Sequence, residues 1–391
     1  MIRIPFIYNL RSLKARWISA LVSVMSIAGV VAVFLAMLSM AHGFRETIKS
    51  AGSDDNALVL RGGATSEVMS SLHLEHTKII GDAAGVKRDK KGNPIISKEV
   101  VTNIYLARRD TKIKYNVKIR GLTPKALEVH DKITLTKGRF FKPGLAELVV
   151  GKNLAPAYQG LDMGESISFG GQTWQVVGLF ESGGTSFDSE IWCDATLLRQ
   201  AFKRPTDIFG SVTAKLSSTD TFSQFKDALT SDPRLNIKVE RESTFYEKQS
   251  KGLATFIRAL GFVVAFVMAI GAVFAALNTM YASVSERSSE IATLRALGFV
   301  EGNVVTSFLL ESLTISFFGG IVGCVLVLPL NGFTASTFNM ATYSQLAFAF
   351  RVTPDLMIQG IIFALFMGFF GGLFPALRAA LQPIAGTLRG M

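Results

Sequence analysis

Two cysteines among 391 residues, Cys193 and Cys324, lie far apart in segments of different character, which argues against a disulfide framework. Charge is scarce as well: 18% of residues are Asp, Glu, Lys or Arg, against roughly 25% in a soluble globular protein. No G-x-x-x-x-G-K-[ST] occurs, so the chain has no P-loop of its own in which to hold ATP. H-E-x-x-H and G-x-S-x-G are missing too, which excludes the common zinc-protease and nucleophile-elbow signatures. The sequence has four histidines. His73 and His76 in "HLEH" are three apart, but no further ligand is apparent, and solvated polar residues explain them equally well. Cys193 in "EIWCDA" reads as a small half-buried residue rather than a reactive thiol, and Asp54–Asp55 reads as a solvated loop. Nothing in this inventory points to an enzyme or to a metal.

What the chain has in quantity is apolar sequence: 49% of residues are hydrophobic. Four runs, 17–44, 259–284, 304–330 and 355–376, reach the roughly 20 residues needed to cross a bilayer. The first is far longer than the roughly 7–15 apolar residues of a signal peptide and is expected to be an uncleaved anchor. On a soluble protein the net charge of +11 would suggest nucleic acid. Here anionic membrane lipid is the expected counterpart and nucleic acid is not. Inside the runs, Gly319 and Gly323, and Gly368 and Gly372, form two G-x-x-x-G pairs. Such pairs let helix backbones approach closely, either between spans three and four or, as a sharper reading, between copies of the chain. Pro329 and Pro375 lie near span ends, where they terminate or bend a helix. Glu311 is the one ionisable residue well inside a span. It is either a functional group or a near-interface residue paired with a cytoplasmic arginine.

The expected fold is an α-helical membrane protein with four transmembrane helices in a 1+3 order. A mixed α/β extracytoplasmic domain with stalk helices, residues 45–258, is inserted between the first two. Residues 285–303 form a charged loop, 331–354 a short extracytoplasmic loop, and 377–391 a tail. Arg3, Arg11, Lys14 and Arg16 precede span one, Arg287 and Arg295 follow span two, and Arg378 and Arg389 follow span four. The loop between spans three and four has only Arg351. This bias puts both termini and the charged loop in the cytoplasm. Segment 1–16 is amphipathic and reads either as an interfacial helix or as a basic tail. In the insert, alternation in "NALVLRG", "VTNIYLARR", "KIKYNVKIRGL", "ELVVG" and "QTWQVVGLF" predicts strands. Helical spacing appears in "SEVMSSLHLEHTKII" and "DTFSQFKDALTSDP". "RETIKSAG" and "STFYEKQSKGLATFIRALG" read as helical extensions of spans one and two.

The charged loop "SERSSEIATLRALGF" places Ile291, Leu294 and Leu297 along one side of a short helix. Glu286, Arg287, Glu290 and Arg295 surround them, and Gly298 is a natural stop. Its acids and bases nearly balance, which favours a protein groove over a lipid surface. With Ala296, these residues give E-R-x-x-E-I-x-x-L-R-A-L-G, which resembles the segment after the second span in permeases of the MacB/FtsX/LolE-type ABC transporter superfamily. "GG-x-x-G" in span three, "GGLFPALRAA" in span four and "FESGGTSFDSEIWCD" in the insert are similar too.

The resemblance implies a homodimer in the bacterial inner membrane. It implies a coupling helix, formed by Glu286, Arg287, Glu290, Ile291, Leu294, Arg295, Leu297 and Gly298, docked in a cytoplasmic ABC ATPase present in two copies. ATP and Mg would be bound by that partner and no cofactor by this chain. Because the sequence begins almost directly at span one, the ATPase is expected on a separate chain. The resemblance further implies mechanotransmission: export or extraction of a hydrophobic small molecule, lipid, lipoprotein or peptide, with a periplasmic adaptor and an outer-membrane channel as further partners. The alternative is an FtsX-like signalling device acting on a cell-wall hydrolase. The outer domain is expected to have two lobes, with the inserted one spanning about 110–187.

Overall fold

The computed structural model describes residues 17–340 and 342–382. Segment 1–16 and Arg389 lie outside the described residues. The chain divides into two compact units, one helical (17–42, 255–333 and 350–382 of the described residues) and one α/β (43–254 and 334–349).

Among the described residues, four helices are long and apolar enough to cross a membrane: α1 (Trp17–Lys49), α6 (Glu242–Glu286), α8 (Glu301–Val327, running on as a tight turn to Leu330) and α9 (Pro354–Ala380). At 1.5 Å per residue the 45 residues of α6 extend about 68 Å. Both α1 and α6 contribute residues to both units. In the helical unit, Ile27, Val31, Phe34 and Leu35 of α1 share a core with Ala265 and Ala269 of α6 and with Ala364 and Met367 of α9. Pro375 does not end its helix, which continues to Ala380; Pro329 lies in the turn that follows α8.

The α/β unit is organised by one ten-stranded sheet. In chain order its strands are β1 (Asn56–Arg61), β3 (Ile96–Ala107), β4 (Lys114–Leu122), β5 (Thr134–Gly138), β6 (Glu147–Gly151), β7 (Ser166–Phe169), β8 (Gln172–Glu181), β9 (Glu190–Asp194), β11 (Ser211–Lys215) and β12 (Ile237–Arg241). The spatial order is β12-β1-β11-β3-β4-β9-β6-β8-β5, with β7 beside β8. Of its pairs, β4–β9 and β6–β8 are parallel. A short separate pair joins β2 (Leu72–His73) to β10 (Ile208–Phe209). Two cores pack on the sheet. One gathers Ile119, Leu148, Trp174, Ile191 and Cys193 under α4 (Ala195–Ala201). The other gathers Val59, Val212 and Val239 with Ile80 of α2 (Leu74–Asp82) and with Phe225 and Leu229 of α5 (Phe222–Thr230). A single helical turn, α3, covers Ala126–Val129.

The segment read as a loop, 331–354, contains a hairpin, β13 (Thr334–Asn339) and β14 (Ser344–Ala349), that belongs to the α/β unit. It is held there by polar and aromatic contacts. Asn103 Nδ2 donates to the Thr342 carbonyl at 2.8 Å, the Ala347 amide donates to Ser189 Oγ at 3.1 Å, and Phe348 packs edge-on against Phe44. "SEVMSSLHLEHTKII" is helical only from Leu74, because Glu67–Met69 forms a tight turn and Leu72–His73 is drawn into strand pairing. Cys193 is fully buried rather than half-buried, and burial pushes its thiol well up.

Candidate functional site

The charged loop folds as a short helix, α7 (Ser288–Ala296). It stops where the sequence places a glycine. Gly298 has φ +97°, a conformation that costs glycine nothing. The Phe299 amide donates to the Leu294 carbonyl at 3.2 Å and the Gly298 amide to the Arg295 carbonyl at 3.1 Å, the pair of bonds that defines a Schellman ending.

The expected apolar side does not stay together. Ile291 is buried at 3% exposure with Val284, Val304, Phe308 and Ala376, Leu294 is half-buried, and Leu297 is 70% exposed. Because Leu297 falls at the helix cap, it projects past the packed face instead of continuing it. Val300, 48% exposed, extends the same apolar tip.

The charged residues also separate. Arg287 is buried, and its guanidinium donates to Glu311 at 3.0 Å and to Glu290 at 3.2 Å while lying over the Phe308 ring. Of the two readings of Glu311, this geometry realises the pairing with an arginine. Arg295 donates to the Gln382 carbonyl at 2.9 Å and to Glu301 at 2.7 Å, which ties α7 to the end of α9 and the start of α8. Glu286 and Glu290 remain on the exposed side of the loop.

The two glycine pairs serve different neighbours. A Cβ on Gly319 would lie 2.9 Å from the Ile27 side chain, and one on Gly323 would lie 2.7 Å from Val31 and 2.9 Å from the Ala28 carbonyl. This pair therefore seats α8 against α1, not against α9 as expected between spans three and four. A Cβ on Gly368 or Gly372 would lie 2.5 Å from the Cβ of Ser316 or Ser312 respectively, so α9 meets α8 through serines. Ser312 Oγ donates to the Gly368 carbonyl at 2.6 Å.

Sequence reasoning missed a charged cluster inside the α/β unit. Arg120 is fully buried; its Nε donates to Glu190 at 2.8 Å, and its Nη1 to both Glu67 and Glu99 at 2.5 Å. Lys118, two residues earlier on the same face of β4, pairs with Glu190 at 2.8 Å and with Glu67 at 3.3 Å. Burial works against charge on Glu67, but Arg120 and Lys118 overcome it and lower its pKa to about 2. Glu99 and Glu190 are likewise held below their ordinary range, again against burial, chiefly by Arg120. The only sequence signal was Lys118 and Arg120 at alternate positions, which reads as a solvent face.

With this geometry in hand, residues 20–232 match the MacB-like periplasmic core domain, and residues 262–384 match the FtsX-like permease C-terminal domain. The chain belongs to the MacB/FtsX-type ABC transporter permeases. Among relatives of this permease is the uncharacterized ABC transporter permease YknZ of Bacillus subtilis (strain 168). It is 27% identical over 57% of this chain and 56% of its own length. The macrolide export ATP-binding/permease protein MacB of Hyphomonas neptunium is 25% identical over 96% of this chain and 59% of its own. The matched part of this permease thus spans little more than half the length of either relative. The crystal structure of the periplasmic region of MacB from Actinobacillus actinomycetemcomitans superposes on 52% of this chain and 95% of its own, at 13% identity and a TM-score of 0.37.

Proposed function

We propose that this permease couples ATP hydrolysis by a separate cytoplasmic ABC ATPase to export or extraction of a hydrophobic molecule, a lipid, lipoprotein or peptide. It works as a homodimer in a bacterial inner membrane with both termini cytoplasmic. Two ATPase copies bind the ATP and Mg, and α7 is the element that docks in them. The stroke passes to the extracytoplasmic domain through the long helices, with a periplasmic adaptor and an outer-membrane channel completing the route.

The observation that carries this reading is the exposed apolar tip of a helix that is otherwise fastened down. Leu297 is 70% exposed at the end of α7, while Arg287 and Arg295 bind back into the chain. A loop needed only to join two spans has no use for such an arrangement, whereas a docking knob requires both the rigid base and the apolar point.

The test is co-purification of the full chain with its ATPase subunit, comparing wild type with Leu297→Asp. We expect at least a tenfold loss of ATPase association with the membrane fold intact. Unchanged association and turnover would remove α7 from the docking role. Arg295→Ala is a poorer probe, because that side chain holds Gln382 and Glu301.

A further inference from the structure

The buried cluster around Arg120 has a second half that its salt bridges do not account for. Glu67, Glu99 and Glu190 are three buried carboxylates, and Lys118 and Arg120 supply only two permanent positive charges. The sixth charge can come only from His130, 6% exposed in the turn after α3, whose Nε2 lies 2.8 Å from Glu99 Oε1. On the other side of the same ring, Nδ1 lies 3.8 Å from Oε1 of Glu242, the first residue of α6. Glu242 is 1% exposed and accepts hydrogen bonds through Oε2 from the Ser53 amide at 3.0 Å and from Asn56 Nδ2 at 2.8 Å. One turn further along α6, Tyr246 accepts from Arg120 at 3.4 Å.

The imidazole is therefore bracketed by two carboxylates from different elements, one on β3 and one at the start of α6. As an imidazolium it donates to Glu99 and turns its other N–H toward Glu242, 3.8 Å away. It then brings Glu67, Glu99 and Glu190 to three positive charges against three negative, with Glu242, whose carboxyl burial pushes up, outside that count. As a neutral ring it donates to one carboxylate at most and leaves an unbalanced negative charge in a buried site, which is strongly unfavourable.

We propose that His130 is a proton-binding site whose proton fastens the first turn of α6 to the sheet of the α/β unit. Burial alone would push the His130 pKa down, but the charge and hydrogen bond of Glu99, with Glu242 behind, raise it above 6.5. A group whose folded pKa is raised contributes stability that is complete below its unfolded value and is lost as pH rises through the folded one. The fastening is thus intact in acid and released toward alkaline pH. The groups that face the ring or its rim set the balance: Glu99, Glu242 and Arg120 directly, and Asp131 and Lys132, which line the same small cleft as the ring. Asp131 is engaged by Lys215 at 2.6 Å.

Hydrogen–deuterium exchange of the full chain in lipid nanodiscs between pH 5.5 and 9, corrected for intrinsic exchange, tests this. The peptide to follow covers residues 242–254. In wild type its protection should fall as pH rises above 6.5, by up to about tenfold per pH unit for one linked proton. His130→Gln should show lower protection and no such slope. Glu242→Gln, which keeps the hydrogen bonds at this position, should shift the transition to lower pH, because one of the two carboxylates holding the proton is gone. A flat wild-type profile, or an unaltered slope in His130→Gln, overturns the proposal. Should His130→Gln fail to fold, an unmoved transition in Glu242→Gln does so equally.

Discussion

Both units of this permease bury ionised side chains, and they do it differently. Among the described residues of the helical unit, Arg287 meets Glu311 at 3.0 Å, with Glu290 at the rim. In the α/β unit a single arginine serves three glutamates, a lysine serves two of them again, and a histidine joins the third to the first turn of a helix. The pair is local. Removing Glu311 leaves Arg287 with a second carboxylate, Glu290, in reach, whereas removing Arg120 leaves three buried carboxylates to share Lys118 and His130. The number of elements a charge joins, rather than its burial alone, decides what its loss costs.

That contrast can be broken by measurement. The largest effect is expected from Arg120→Met, about 3–5 kcal/mol, the cost of breaking a buried ion pair from one side. Denaturant unfolding followed by the emission of Trp174 and Trp192, both buried in this unit, reads it. A loss under about 1 kcal/mol would mean that water reaches the cluster and that the comparison is wrong. Acid comes next. The folded pKa of Glu67 is lowered from 4.5 to about 2, so its contribution is present above 4.5 and disappears as pH falls toward 2. The amount is on the order of 3 kcal/mol for this residue, visible as a falling unfolding midpoint of the α/β unit below pH 4.5. In the helical unit, a double-mutant cycle with Arg287→Met and Glu311→Gln should give a coupling energy of about 0.5–3 kcal/mol. Zero coupling would make Glu311 independent of the loop. Smallest of all, Leu297→Asp should change stability by no more than about 0.5 kcal/mol, because the residue is 70% exposed; a larger drop would show that the tip is structural.

Much of the fold was legible because its signals are local. Apolar runs need no partner to be recognised, which is why all four long helices contain the runs read from sequence. Gly298 announced the end of α7 because a left-handed residue at a helix cap has few other solutions. Alternation found β1 and β6 within a residue of their ends.

What stayed hidden depends on pairings across the chain. Glu311 and Arg287 are 24 residues apart, and only packing shows that they meet. Gly319 and Gly323 mark a close approach without saying to which helix, and the answer was α1. Alternation in "TASTFN" and "SQLAFA" was present but weak, and two flanking spans made a plain loop the simpler reading. Lys118 and Arg120 alternate on β4 as solvent-facing residues do. A strand's own sequence cannot reveal that Glu67 and α6 close over that face.

The hairpin of residues 334–349 has a practical corollary for anyone handling this protein in pieces. The α/β unit is not one uninterrupted stretch of chain: the polypeptide leaves it, threads two long helices, and comes back to supply two more strands. A fragment cut at 45 and 258 would lack the partner that Asn103 and Ser189 meet in the whole molecule, and would lose Phe44 as well. The α/β unit of this permease is better prepared as two segments joined by a linker than as a single excision.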